Sequence, residues 1–505
     1  MDFYDELDKR GLLDMLRVPV YDRPAYQGWE KAKCFLLDIV VEQKSVYVVG
    51  DYDVDGLMCA MICKDCFKDL GVKDFTIYNY RSRTHNIDSV AVQQCIQGHY
   101  DYFVVADAGS NDMGLLKQLV HCGVKVIVLD HHNTEFAYSD YGDNIAVINT
   151  MIENKAGTSY KLSAGALCFT VFDLLYLELG KSIPAGIASY AAVSLLADMM
   201  DMSDKLNRSI YYLGTHLPED EIPVPLLYFK GDYSKFNARY ISYWFSPRIN
   251  ACFRAEQFIF INELFFNDTD SAVKGKCFEM IERVYTKSRS MVHSVSDVLD
   301  AYCVQMQNFV FADLGSIDRY FDIEYHKLFN YTGYVANDLA SKHGKTAITV
   351  CRVGNYYKGS LRDQLGRNYL QIFRQLCFAE GHNSAFGMRI PELDLEIFMN
   401  DLKRVDDLYS IQTIENEPIV VEIGNTCPDE SMITDMARYN EFAGSGVPVA
   451  LLRKQIIGNI TESKNSYYYK YLWEGLSIQS EHKISFGRFV LIKPFFSWKL
   501  KLQVQ

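Results

Sequence analysis

The stretch VYVVGDYDVDGLMCAMICKDC, residues 46–66, decides the reading of this chain. An apolar run rich in Val ends at Gly50, as expected of a strand buried on both faces. Asp51, Asp53 and Asp55 then alternate, Gly56 follows, and a helical pattern takes over. Carboxylates crowded at the tip of a buried strand repel one another at neutral pH unless a cation lies among them. Cys59, Cys63 and Cys66 stand at i, i+4 and i+7, which is one face of a helix. That spacing is able to hold an iron–sulfur cluster. Their neighbours Leu57, Met58, Met61, Ile62 and Phe67 favour the plainer reading, in which buried thiols act as small apolar side chains.

Outward from this stretch the pattern repeats. Residues 102–106 and 125–129 are further apolar, Val-rich runs, and each ends in acid: Asp107 in VVADAGSND, then Asp130, His131 and His132 in VIVLDHHNT. A fourth motif, SLLADMMDM, puts Asp198 at the end of an apolar helix-like stretch. Helix-like segments at 57–70 and 111–122 alternate with the strands, and others follow at 164–180 and 185–200. Such alternation predicts a parallel α/β sheet with its ligand site at the carboxyl ends of the strands. A single strand-end aspartate is readily explained as a helix cap. Four in order along this pattern point to hard divalent cations, Mg²⁺ or Mn²⁺, the latter also accepting imidazole. Two such ions ~3.5–4 Å apart activate water against a phosphate ester.

The 505 residues suggest about three domains, and 49% hydrophobic with 23% charged residues is an ordinary globular composition. The start, MDFYDELDKR, is polar, and no run approaches the ~18 apolar residues of a membrane helix. Thirteen scattered cysteines fit reduced thiols. The expectation is a soluble, cytoplasmic protein with no membrane partner, its richness in Tyr, Phe, Asn and Ile suiting a bacterial or bacteriophage origin. The net charge of −13 speaks against non-specific nucleic-acid binding, although local basic patches escape a whole-chain count. A Pro- and Gly-containing stretch at 216–240 marks a boundary; 269–302 reads as one long connecting helix; the tail from about 415 reads as β with little helix. Tyr467, Tyr468, Tyr469 and Tyr471 in that tail suit either a half-buried strand or base stacking.

D-x-D-G, a strand-end Asp, DHH and A-D, in that order, resemble the DHH phosphoesterase superfamily. FAEGHNSAFG at 378–387 resembles the G-G-H-x-x-A-x-G signature of its DHH-associated domain. SPRINACFRAE at 246–256, TGYVANDLASKHGKTAITVCRVGNYYKGSLRD at 332–363 and EFAGSGVPVALLRK at 441–454 are similar to stretches of the RecJ branch of single-strand-specific exonucleases. The resemblance implies an α/β architecture: a parallel-sheet DHH domain over 1–215, a linker and long helix with the PRINA-like segment over 216–320, a smaller DHH-associated domain over 321–398, and an OB-like β domain over 399–505.

It also implies a metal-dependent, 5′-to-3′ exonuclease that hydrolyses single-stranded DNA to 5′-mononucleotides with two Mn²⁺ or Mg²⁺ ions. Asp53, Asp55, Asp107, His131 and Asp198 match metal ligands, with Asp107 bridging, and Asp51 or water is the substitute for the nitrogen ligand that Val49 lacks, or else that metal binds weakly. His132 matches the phosphate-facing histidine. Ser360 falls in the phosphate-binding stretch, Arg362 and His382 match phosphate-holding residues, and Arg248, Asn250 and Arg254 match substrate contacts. Single-strand-binding, replication or repair proteins are the implied partners. The chain departs from the pattern at Val49, where the family has a His ligand, at Glu380, where it has Gly, and at Phe253, where the PRINA segment has Gly. A phosphodiesterase for short oligonucleotides or cyclic dinucleotides, and a single-strand-binding accessory protein weakened in catalysis, are the alternative readings.

Overall fold

The structure, a computed structural model, describes residues 2–81, 86–155, 160–230, 235–268, 270–320, 328–363, 367–382, 384–409, 418–423, 430–443, 447–455, 461–464, 469–473, 476–480, 489–496 and 500–504, and every count below refers to these. Contacts divide the chain into two compact units, Met1–Ile281 with Ile419–Gln505, and Glu282–Pro418.

In the first unit a five-stranded parallel sheet is formed by β1 (Val46–Gly50), β2 (Phe75–Ile77), β3 (Tyr102–Ala106), β4 (Lys125–Asp130) and β5 (Ile145–Asn149), in the order β2-β1-β3-β4-β5. Strands β1, β3 and β5 are buried at every position, as apolar runs covered on both faces must be. Strand order reverses between β1 and β3, so the crevice of an open α/β sheet lies at their carboxyl ends. The register sets Gly50 opposite Ala106, and Ala106 opposite Leu129. Asp51, Asp107 and Asp130 therefore stand level along one sheet edge. Helices α1 (Val54–Asp69), α2 (Ala164–Glu178) and α3 (Ile187–Ala197) follow. The last two are buried on nearly every face, which matches their uniformly apolar sequences.

The C-terminal strands belong to this unit as a mixed seven-stranded sheet. Tyr4 Oη donates to Asp435 at 3.0 Å and Tyr211 Oη to Glu441 at 2.5 Å, tying it to the N-terminal part. The tail is chiefly β, as its sequence leads one to expect, with one α-helix added among the described residues. Glu430–Tyr439 is a helix, because Ile433, Met436 and Ala437 fall on one buried face.

The helix Ser271–Leu299 runs from one unit into the next, as its long polar-rich pattern predicts. In the second unit, β6 (Val304–Gln305), β7 (Phe309–Asp313), β8 (Thr346–Val353), β9 (Tyr356–Arg362), β10 (Phe378–His382) and β11 (Ala385–Pro391) form a mixed sheet in the order β10-β11-β9-β8-β7-β6. One core gathers Phe373, Phe386, Phe398 and Leu402; the other gathers Val295, Leu299, Val335 and Leu339 against Ala347 and Cys351.

Candidate metal centre

The acidic loop after β1 is folded back on itself by two glycines. A Cβ on Gly50 would lie 2.1 Å from the Gly56 carbonyl oxygen, and one on Gly56 would lie 2.3 Å from the Asp51 nitrogen. Only glycine permits that backbone approach. Asp53 caps α1 by accepting from Gly56 N at 3.1 Å, so the helix-cap reading is part of its role. Asp55 sits buried in the first turn of the same helix. Its Oδ2 accepts from Ala164 N at 2.9 Å, and its Oδ1 from Gly165 N at 2.8 Å and from the Ser194 hydroxyl. The free N–H groups at the start of α2 thus converge on this carboxylate. A Cβ on Gly165 would lie 2.5 Å from Ser194 Oγ and 3.1 Å from Asp55 Oδ1, so a small residue is required there.

Asp107 has a left-handed backbone, φ +65°, and donates its N–H to Leu129 O at 2.9 Å. Its Oδ1 is buried, accepts no hydrogen bond, and lies 3.3 Å from His131 Nε2. That same imidazole nitrogen is 3.6 Å from Asp198 Oδ2 and 3.9 Å from Asp55 Oδ2. Asp130 organises the DHH corner. It accepts from the backbone N–H groups of His131 at 2.7 Å, His132 at 3.1 Å and Ser110 at 3.1 Å, and it meets His132 Nδ1 at 2.8 Å. Asn149 holds the corner by donating to Ser110 Oγ at 2.8 Å and to His132 O at 3.0 Å.

Three groups of side chains have ligand atoms within 4.8 Å of one another: Asp51, Asp53 and Asp107; Asp55, His131 and Asp198; and Asp107, His131 and His132. Every metal ligand inferred from sequence falls in this constellation. Burial, then Asp198 and Asp53, raises the Asp55 carboxyl to about 7. Burial, then Asp55, Asp53 and Asp51, pushes Asp107 well above the usual carboxylate range. Asp130 moves the other way: burial opposes its charge, but the adjoining His132 outweighs burial and holds it far below that range. Buried oxygens that repel one another, one of them without a donor, are the donor set that hard cations bind. Val49 is 3% exposed within β1 and offers no ligand atom. No group of three metal-ligating side chains among the described residues includes a cysteine. Cys59, Cys63 and Cys66 are buried in α1, as the packing reading expects.

The remaining sequence-inferred residues lie outside this cluster. Arg248, Asn250 and Arg254 are on the helix Ser246–Arg254, which rests against α1. Arg248 is buried, donates to Trp244 O at 2.9 Å and stacks on the Trp244 ring at 5.2 Å. Phe253 is buried against Tyr80, ring centroids 5.1 Å apart at 83°. Tyr80 in turn meets Tyr52, within the acidic loop, with ring centroids 5.0 Å apart at 56°. In the second unit, Ser360 Oγ meets Thr332 Oγ1 at 3.0 Å, and Arg362 donates to Leu361 O at 2.7 Å. A Cβ on Gly333 would lie 2.6 Å from Arg362 Nη2. His382 pairs with Ala385, which pairs with Arg362; its side chain lies outside the described residues, as do Tyr467, Tyr468 and the side chains of Tyr469 and Tyr471.

Sequence reading missed Ser194, Gly165, Asn149 and Tyr80. Ser194 could have been found: it stands one helical turn before Asp198, on the same face.

Comparison with known proteins agrees with this geometry. The model of the DHH family, N-terminal domain, matches residues 45–196. The single-stranded-DNA-specific exonuclease RecJ of Bacillus subtilis is 22% identical over 444 residues, covering 85% of this chain and 54% of that relative. The chain thus spans about half the length of that curated relative. The crystal structure of Thermus thermophilus RecJ with Mn²⁺ superposes with a TM-score of 0.76 at 19% identity, over 99% of this chain and 74% of that one. The Mg²⁺ complex of RecJ from the same organism superposes with a TM-score of 0.68 at 18% identity, over 99% and 73%. Residues 45–196 thus carry a domain similar to the DHH family, N-terminal domain. The chain's architecture is of the RecJ type.

Proposed function

We propose that this chain is a cation-dependent nuclease that hydrolyses phosphodiesters of single-stranded DNA, running 5′ to 3′ and releasing 5′-mononucleotides. One observation carries the reading: on the carboxyl edge of the parallel sheet Asp107 is shared by the Asp51–Asp53–Asp107 and Asp107–His131–His132 groups, and His131 in turn belongs to the group with Asp55 and Asp198. Asp51, Asp53 and Asp107 are assigned to one cation, and Asp55, His131 and Asp198 to the other, with Asp107 in the bridging position. Held by these residues, Mn²⁺ or Mg²⁺ would supply a water of lowered pKa and positive charge for the leaving 3′-oxygen. His132, oriented through Nδ1 by Asp130, offers its other nitrogen to the phosphate. Arg362, with Ser360 and His382, holds phosphate through a guanidinium fork that suits paired oxygens. Arg248, Asn250 and Arg254 contact the strand. The named activity of the Bacillus subtilis relative supports the substrate class. The setting that goes with this reading is the cytoplasm, in DNA repair, recombination and replication, beside single-strand-binding or replication proteins. Among the described residues no helix is long and apolar enough to cross a membrane.

The test is a time course on 5′-labelled single-stranded DNA with Mn²⁺, beside EDTA and duplex controls. Labelled mononucleotide should appear from the single strand alone and only with metal. Release that persists in EDTA overturns the reading. Val49 favours a second one, a binding protein weakened in catalysis, because a buried valine stands in place of a nitrogen ligand. Retention of the strand with no release decides for that alternative.

A further inference from the structure

The sheet of the second unit has one face that no core covers at its β10 edge. Along β11, Phe386, Met388 and Ile390 are buried, so Ala385, Gly387 and Arg389 face the opposite way. Cross-strand partners share a face. Arg389 pairs with Phe378 on β10 and Lys358 on β9; Ala385 pairs with His382 and Arg362 in the same strands. The phosphate-holding row of the proposed function and the Phe378–Arg389–Lys358 row are therefore two ends of one strip. Arg362 and Lys358 are four strand residues apart, ~13 Å at ~3.3 Å each.

The far row has an unusual makeup. Phe378 is 55% exposed and Tyr356 is 42% exposed. The Arg389 guanidinium lies between them, 4.8 Å from the Phe378 ring centroid and 5.3 Å from that of Tyr356. Among the described residues it makes no hydrogen bond or ion pair, although the chain carries a net charge of −13. Stacking on ring faces holds a guanidinium in place while its in-plane N–H donors stay available for phosphate oxygens. Lys358, its Nζ 5.4 Å over the Phe329 ring, adds a second cation to the row.

We propose that Tyr356, Lys358, Phe378 and Arg389 form an extension of the nucleic-acid track, where exposed rings stack unpaired bases and the cations hold the backbone. This rests on the nuclease reading for its direction, but it is a separate surface with its own test. Aromatic platforms beside cations bind single strands without sequence preference. Glu380, exposed between the two rows, weakens the strip, so Glu380→Gln is expected to bind somewhat more tightly.

The experiment is fluorescence anisotropy of the full chain with a labelled oligothymidylate tens of nucleotides long, in EDTA, as a function of salt. Phe378→Ala should weaken binding about tenfold with the salt slope unchanged, since it removes a stacking platform. Arg389→Ala should weaken binding and lower the slope by roughly one phosphate's worth, ~0.7. A folding defect would not separate the two variants in this way. Wild-type affinity and slope in both variants, or equal losses with no difference in slope, overturn the track. A wild-type chain that binds the strand with these signatures yet releases no nucleotide with Mn²⁺ fails the nuclease reading and keeps the track. A wild-type chain that binds no single strand ends both.

Discussion

Asp107 stands where a non-glycine residue is costly. A left-handed backbone strains an aspartate by ~1–3 kcal/mol, and burial beside Asp55, Asp53 and Asp51 adds charge repulsion. Both costs fall on the residue with a buried oxygen that accepts no hydrogen bond. Asn tolerates the same backbone region and removes the charge. Asp107→Asn should therefore abolish metal-dependent hydrolysis while raising the melting temperature of the metal-free protein by about 1–2 °C for each ~1 kcal/mol of repulsion relieved. A melting temperature unchanged in EDTA would mean that no repulsion is stored there. The same chemistry gives a pH dependence. The Asp55 carboxyl is raised from 3.8 to about 7 in the folded chain, so between those values the folded state binds more protons than the unfolded one. Its contribution to stability is then lost as pH rises through that window. Without metal, stability should decline from pH 4 to 7, and Mn²⁺ should stabilise more at pH 8 than at pH 5; a hundredfold excess over the Kd at pH 8 stabilises by about 2.7 kcal/mol there and by less at pH 5. Melting curves with and without EDTA across pH check the sign.

At the scale of elements, what was legible followed from pattern strength. The runs 46–50, 102–106 and 125–129 are uninterrupted and β-branched, and they appear as β1, β3 and β4 almost to the residue. The acidic residues were legible because each is the first polar residue after such a run. β2 is only Phe75–Ile77, too short to carry a period, and β5, Ile145–Asn149, carries no acidic motif of the kind that drew attention to its neighbours. The contacts that aim Asp55 come from Gly165 and Ser194, more than a hundred residues away, and no local pattern announces a helix start pointed at a carboxylate. That dependence is testable. Gly165→Ala would force a methyl against Ser194 Oγ and close to Asp55 Oδ1. Overpacking of this kind costs about 1–3 kcal/mol, and it should weaken Mn²⁺ binding in calorimetry as the carboxylate is displaced. Full metal affinity in a folded Gly165→Ala protein would separate the start of α2 from the metal site.

Across the whole molecule, the division of labour differs from a simple run of segments. The carboxylate cluster, the PRINA-like helix and the C-terminal sheet belong to one unit by contacts, although residues 282–418 interrupt them in sequence. We keep the four-segment division read from the sequence as a proposal about separable modules, and the second unit is where it can be tried. Over its central strands both faces of its sheet are covered from its own residues: Phe309, Phe373 and Phe398 on one side, Val295, Leu339 and Cys351 on the other. A sheet with both cores supplied locally has what an independent domain needs. A fragment spanning 271–418, which keeps the long helix whole, should therefore unfold in one cooperative transition, with a urea m-value of about 1–3 kcal/mol/M. It should hydrolyse nothing, because every side chain of the three candidate metal groups lies outside it. A broad, non-cooperative transition would mean that this unit folds only on the remainder of the chain, and that its two local cores are not sufficient to hold its sheet.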